Sequence, residues 1–186
     1  MPLARALLGR VLVSGRGAAA VAGRIVEVEA YRGSSDPASH AFRGITPRNR
    51  VMFGPPGHAY VYFTYGMHHC VNVVAAREHK PEAVLIRALE PVSGLARMRA
   101  RRGDVEDQRL ARGPGCVAKA LGLTCSDDGA DLVRGPLWIA DFAPERGGSR
   151  VESGPRIGIR VATERAWRFW LAGNPAVSGP RGRVPR

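Results

Sequence analysis

The chain has 186 residues, 45% of them hydrophobic, which suits one domain with a full core and leaves too little for several. Its 28 Lys+Arg against 16 Asp+Glu give a net charge of +12, the footprint of a polyanionic partner such as nucleic acid or an anionic membrane surface. Cys70, Cys116 and Cys125 are odd in number and fit neither a disulfide framework nor a zinc spacing, which points to a reducing compartment.

In chain order, "PLARALLG" predicts a short helix that Gly9 ends. The arginines inside "MPLARALLGRVLVSG" make it a poor signal peptide, and no apolar run reaches membrane-spanning length, so a cytoplasmic protein with no membrane partner is expected. "AAAVAGRIVEVEAY" reads as one or two strands. Arg32 to Phe53 is polar and turn-rich, long for a loop in a compact domain and therefore a candidate functional segment. "HAYVYFTYG" and "HHCVNVVAA" predict two strands joined by a hairpin at Gly66-Met67, and "EAVLIRALEP" predicts a third. "SGLARMRARR" and "GPGCVAKALGL" predict short helices, the second starting near Pro114. "VEDQRLAR" between them reads as either helical or irregular. "LWIADF", "RIGIRV" and "WRFWLAG" complete the chain as strands. The sum is an α+β domain spanning 1–186, dominated by strands in hairpins.

Polar groups concentrate between Glu27 and Asn72. In "EVEAYRG" an alternating strand puts Glu27, Glu29 and Tyr31 on one face and Val26, Val28 and Ala30 on the other. A solvated strand edge would explain the acids simply; a catalytic carboxylate is the other explanation. Four of the five histidines lie in this window, yet His68 and His69 point to opposite faces of a strand and no HExxH pattern occurs, so no metal site is expected. Tyr31 and Tyr62, with His40 between them, are either ordinary packing aromatics or the walls of a slot for a flat base. Tyr65 and Met67 at the hairpin tip suit a wedge in a duplex. Thr46, Arg48 and Arg50 precede the apolar pair Met52-Phe53; this is either an ordinary polar loop with Pro47 and Pro55 fixing its turns, or a site where Arg48 and Arg50 grip phosphates. Neither lysine, Lys80 or Lys119, lies in the polar window, so an amine nucleophile is not expected there; the amine of Pro2 is the remaining option.

The series "RIVEVEAYRG", "ASHAFRGITPRNRVMFGPPGHAYVYFTYGMHHCVNVV" and "AVLIRALEP", continued by "RGPGCVAKALGL", "RIGIRV" and "WRFWLAGNPAVS", resembles the alkyladenine/3-methyladenine DNA glycosylase family over nearly the whole chain. The resemblance implies a curved, mostly antiparallel sheet flanked by short helices, with a β-hairpin that inserts into DNA. It implies a monofunctional base-excision repair enzyme, without lyase activity, that flips a damaged purine (3-methyladenine, 7-methylguanine, hypoxanthine or ethenoadenine class) from double-stranded DNA and hydrolyses its N-glycosidic bond. It implies no metal or organic cofactor, and a monomer associated with the nucleoid is expected.

By the same resemblance Glu29 is the base that activates water, with Arg87 near that water. Tyr31, His40, Tyr62 and Asn72 form the base pocket. Tyr65 fills the space left in the duplex, and Met67, Thr46, Arg48, Arg50 and Met52 are candidate DNA contacts. His68-His69 departs from the bulky aromatic residues the family tends to carry there. A non-catalytic nucleic-acid-binding module on the same fold is the alternative, and it divides from the enzyme at Glu29.

Overall fold

The computed structural model describes residues 2–141 and 150–179. Helix α1 (Pro2–Leu7) buries Ala4 and Leu7, and Gly9 at φ 85° ends it and leads into β1 (Val11–Ser14). β1 turns back on β2 (Val21–Arg32), a single long strand. After the 33–58 connection come β3 (Ala59–Thr64), β4 (His68–Val74) and β5 (Glu82–Ser93), then α2 (Leu95–Arg102) and α3 (Pro114–Leu121). The chain ends with β6 (Leu137–Ala140), β7 (Val151–Gly154) and β8 (Arg168–Leu171). The basic tail at Arg181, Arg183 and Arg186 lies outside the described residues.

Every named pairing is antiparallel, and the sheet runs β3-β4-β5-β2-β1-β6. One edge of β2 is shared. Its first residues pair with β1, whereas Glu27, Val28 and Glu29 pair with β8, which carries β7 on its far side. Beneath the sheet, α3 buries Val117, Ala118, Ala120 and Leu121, and α2 adds Met98. Pro114 opens α3, and Gly122 at φ 73° closes it with its N–H on the last carbonyls, as the sequence predicts.

Two irregularities in the β2–β5 ladder aim side chains at the site. Between the pairs Ile25–Leu89 and Glu27–Ala88, β2 carries one extra residue, Val26. Between Glu27–Ala88 and Val28–Ile86, β5 carries one extra residue, Arg87. Bulges of this kind turn a side chain away from its regular direction. Here Val26 packs with Ala88, Trp170 and Leu171 in a cluster apart from the main core, while Arg87 turns toward the acids of β2.

"RIGIRV" is not a strand. Residues 156–161 are irregular because their backbone and side chains bond elsewhere: Ile157 donates its N–H to the Glu29 carboxylate, and Arg156 is drawn into a buried ion pair. The 101–112 segment is ordered by Arg99, which grips Asp107 with Nε and Nη2, and by Arg102 Nε on the Leu110 carbonyl; Asp107–Arg109 is a 3₁₀ turn.

The 33–58 connection begins at Gly33, φ 58°, where a Cβ would lie 2.7 Å from the Pro81 carbonyl oxygen. Gly33→Ala should therefore lower stability by about 2 kcal/mol or more, read as a drop in the urea midpoint at unchanged slope.

Candidate active site

β2 carries its acids where it pairs with β8, Glu27 opposite Trp170 and Glu29 opposite Arg168. Glu27 and Glu29 are both 0% exposed, so a solvated strand edge is ruled out for either. Glu27 accepts from Arg87 Nε at 3.0 Å, Arg168 Nε at 2.6 Å and the Ser178 N–H at 2.5 Å. Glu29 accepts from the Tyr31 hydroxyl at 2.9 Å and the Ile157 N–H at 2.7 Å, with Arg87 Nη1 3.3 Å away. Burial pushes the Glu29 carboxyl above its ordinary value; Arg87, the Ile157 N–H and the Tyr31 hydroxyl pull the other way without cancelling it. Burial opposes the charge of Arg87, but Glu29 and Glu27 more than offset this and hold its pKa above the usual one.

In front of this cluster lies a cavity of about 320 Å³. Tyr31 from β2, Tyr62 from β3, Asn72 from β4, Arg87 from β5 and His40 from the long connection all line it. Five residues far apart in sequence thus converge. Glu29 does not line the cavity; it sits one hydrogen bond behind the wall, on Tyr31, Arg87 and Ile157, each of which does.

The rings form one connected set. His40 Nδ1 is 3.0 Å from the Tyr60 hydroxyl, and its ring meets Tyr62 edge-on at 4.6 Å. Burial, and then Arg48, depress the His40 pKa, so the imidazole is neutral at physiological pH. Burial raises the Tyr31 phenol, and Glu29 raises it further; Tyr62 is raised by burial and by Cys70, so both rings stay protonated. Asn72 Nδ2 donates to the Tyr60 carbonyl at 3.0 Å, which orients its amide.

Sequence reasoning overlooks several parts of the site. Tyr60 follows from the alternation in "YVY", which sets Tyr60 and Tyr62 on the same face. Asn49, 1% exposed, organises the long connection through Nδ2 bonds to the His40 and Gly44 carbonyls and by accepting the Thr46 N–H. Asp36 and Arg156 form a buried bidentate pair at 2.5 and 2.8 Å, and the Arg156 guanidinium lies 4.6 Å over Tyr31 and 5.1 Å over Trp167. No local signal joins residues 120 positions apart.

Of the candidate contacts with a polyanion, Thr46, Arg48 and Arg50 are exposed, and Arg48 lies 5.2 Å over the Tyr62 ring while donating to the Phe63 carbonyl. Tyr65 is 81% and Met67 70% exposed at the hairpin tip. Tyr65 holds φ 52°, a conformation rare outside glycine, and the Met67 N–H closes the turn on the Thr64 carbonyl. Met52 is not exposed: at 2% exposure it packs with Ala41, Tyr60, Val74 and Ala83 and lines the floor side of the cavity rather than the outer surface.

Among the described residues no three His, Cys, Asp or Glu side chains gather to hold a metal, and no helix is long and apolar enough to cross a membrane. Among those residues, too, no lysine lines the cavity, nor does Pro2.

The sequence profile of the methylpurine-DNA glycosylase family matches residues 1–175. The chain belongs to this family. Relatives in Burkholderia lata (51% identity over 179 residues, 94% of this chain and 84% of the relative) and Methanoculleus marisnigri (52% over 179 residues, 95% and 92%) both bear the provisional name 3-methyladenine DNA glycosylase. A Chlorobaculum parvum protein of the same provisional name is 45% identical over 187 residues, covering all of this chain and 89% of its own. The glycosylase family is thus shown over almost the full length, and the sheet architecture agrees with what the sequence resemblance implies.

Asp36→Asn removes the partner of a buried arginine and should cost about 3 kcal/mol in urea unfolding. Burial alone would raise the Asp36 carboxyl, but Arg156 and the N–H groups of Arg32 and Ala38 hold it below its ordinary 3.8. Its contribution is therefore complete above 3.8 and is lost as pH falls through the lower folded value, so the Asn variant and the wild type should converge in stability toward strongly acidic pH.

Proposed function

We propose that this chain is a monofunctional DNA glycosylase that extrudes a damaged purine into the Tyr31–His40–Tyr62 cavity and hydrolyses its N-glycosidic bond with water activated by Glu29. The observation that carries the proposal is the fully buried Glu29 carboxylate directly behind an aromatic cavity of about 320 Å³, in a chain of the methylpurine-DNA glycosylase family.

Expelling a nucleotide costs a few kcal/mol, least for a damaged or mispaired base, so selection starts before the pocket is filled. Tyr31 and Tyr62 supply faces for stacking, and the neutral His40, tied to Tyr60, offers a ring nitrogen to base or sugar. Asn72, fixed by the Tyr60 carbonyl, presents its amide to the purine edge and disfavours the exocyclic amino group of normal guanine. Tyr65 occupies the vacated space in the duplex, with Arg48, Arg50 and Thr46 on the flanking phosphates.

In the hydrolytic step the water oxygen bonds to C1′ while Glu29 takes a proton from it, and the C1′–N bond breaks with its electron pair leaving on the base. Products are an abasic sugar and the free purine. An N-alkylated purine is already a cationic leaving group. Since Glu29 is sealed behind Tyr31, Arg87 and Ile157, water reaches it only when one of these gives way. The Ile157–Ile159 segment, held by no β-ladder, is the wall best suited to move. The absence of lysine from the described cavity lining favours hydrolysis over Schiff-base chemistry.

Single-turnover excision from a duplex with one hypoxanthine or ethenoadenine tests this. Wild type should leave alkali-labile sites; Glu29→Gln should bind the same duplex and leave the base in place. Full activity in Glu29→Gln would overturn the mechanism, and binding without excision by wild type would favour a non-catalytic module.

The pH profile gives a second test. Glu29 works ionised, so excision should rise with pH through a midpoint above the ordinary 4.5. Tyr31→Phe keeps the ring but removes a hydrogen bond that lowers the Glu29 pKa, so its acidic limb should lie at higher pH than wild type.

A further inference from the structure

The β3–β4 hairpin separates two concave features. Tyr65 lines the cavity on one side, and Met67 lines a groove of about 360 Å³ on the other. The groove continues along the hairpin through His68 and His69 and is walled by Arg101 and Lys119, with Thr124 at its end. Among the described residues no carboxylate lines it. Asp127, three residues after Thr124, is engaged by the Thr124 N–H in a capping box, and Asp104, three residues after Arg101, forms no ion pair with it among the described residues.

The packing of the groove holds Arg101 in place. Arg101 donates through Nη1 to the Ala120 carbonyl at 2.9 Å and lies so close over Gly122 that a Cβ there would meet its Cζ at 2.7 Å. His68 rests on Gly115 of α3, where a Cβ would be 3.0 Å from its ring. Lys119 is exposed on α3, and neither it nor Arg101 forms an ion pair among the described residues, in contrast to Arg24, Arg99 and Arg168.

From this geometry we infer that the groove binds the phosphodiester backbone that passes the hairpin on the side away from the cavity, with Lys119 and Arg101 as its charged contacts and His68 as a hydrogen-bonding one. The inference rests on the proposed excision activity, since it takes a duplex straddling the hairpin as the ligand. A held arginine and an exposed lysine, neither with a counter-charge among the described residues, next to two exposed apolar residues at a hairpin tip, form a surface on which phosphates replace bulk counterions. It also gives His68 a role: an aromatic residue there would pack, whereas an imidazole also donates to a phosphate oxygen.

The test is the salt dependence of binding to a duplex bearing one ethenoadenine, measured by fluorescence anisotropy at several sodium chloride concentrations. Lys119→Gln should weaken binding several-fold at low salt and reduce the slope of log K against log salt by about one. Lys119→Glu should weaken binding further. Arg134→Gln, at the β6 end of the sheet, is the control and should leave the slope as in wild type. Lys119 is exposed with no hydrogen bond or ion pair from its side chain among the described residues, so an unchanged thermal midpoint is expected and confirms a folded protein. An unchanged slope in Lys119→Gln overturns the inference, as does an equal loss in Arg134→Gln, which would mean diffuse attraction. Failure of wild type to bind any duplex would overturn the excision activity and remove the groove's ligand with it.

Discussion

Two buried acids facing two buried arginines set the terms for the rest of the molecule. Glu27 and Glu29 leave water completely, and Arg87 and Arg168 are almost as enclosed. A lone carboxylate in such a place would carry a penalty of several kcal/mol, and so would a lone guanidinium. Each is tolerated because its neighbours are present. The planar fork of arginine lets Arg87 meet both acids at once, Nε on Glu27 and Nη1 on Glu29, which a lysine could not reproduce. That double contact requires Arg87 to leave the regular ladder, hence the bulge in β5. Arg168 requires β8 to lie against β2, hence the shared edge of that strand. Ser178, through its N–H on Glu27 and its carbonyl on Arg168, then ties the segment after β8 to the same cluster.

The Asp36–Arg156 pair has a different function, that of shaping. One arginine touches three walls of the cavity. It backs the Tyr31 ring, it precedes Ile157 in the chain, and through Asp36 it anchors the start of the connection that carries His40. Its Nε has no hydrogen-bond partner among the described residues, a cost offset by the rings of Tyr31 and Trp167 on which the guanidinium rests. With Asn49 organising the rest, this gives the 33–58 connection a definite shape without regular strands or long helices. An apolar core alone would leave such a loop free, because it has few large hydrophobic residues to bury.

How much of this could be read from the sequence depends on how far apart the partners are. β3, β4 and β5 carry their own alternation, and α3 carries its own boundary residues in Pro114 and Gly122, so these elements were legible. Arg156–Val161 has a strand's alternation and is no strand, because its N–H and guanidinium are taken by Glu29 and Asp36, more than 100 positions earlier. Alternation placed Glu27 and Glu29 on one face and could not separate them. What separates them is the company each keeps: Glu27 is enclosed by two arginines and a backbone N–H, while Glu29 bonds to a tyrosine, an arginine and a backbone N–H that all border the cavity. The burial of Met52 was not legible, because polar neighbours in sequence say nothing about a turn that folds its side chain inward.

A protein that meets a polyanion with a carboxylate at its centre faces an electrostatic contradiction, since phosphate and carboxylate repel. The distribution of charge resolves it. The scarce acids of the site are drawn inside, each against an arginine, and the chain as a whole carries a net charge of +12 toward the approaching backbone. The same burial raises the affinity of Glu29 for a proton, and the surrounding donors restrain that rise. Enclosure therefore acts in two directions at once: it hides the charge from phosphate and makes the carboxylate a stronger base. The pairing of Glu29 with a tyrosine two residues on, at first sight ordinary strand decoration, is where these demands meet. The Tyr31 hydroxyl moderates the carboxylate from behind the wall while its ring forms the wall itself.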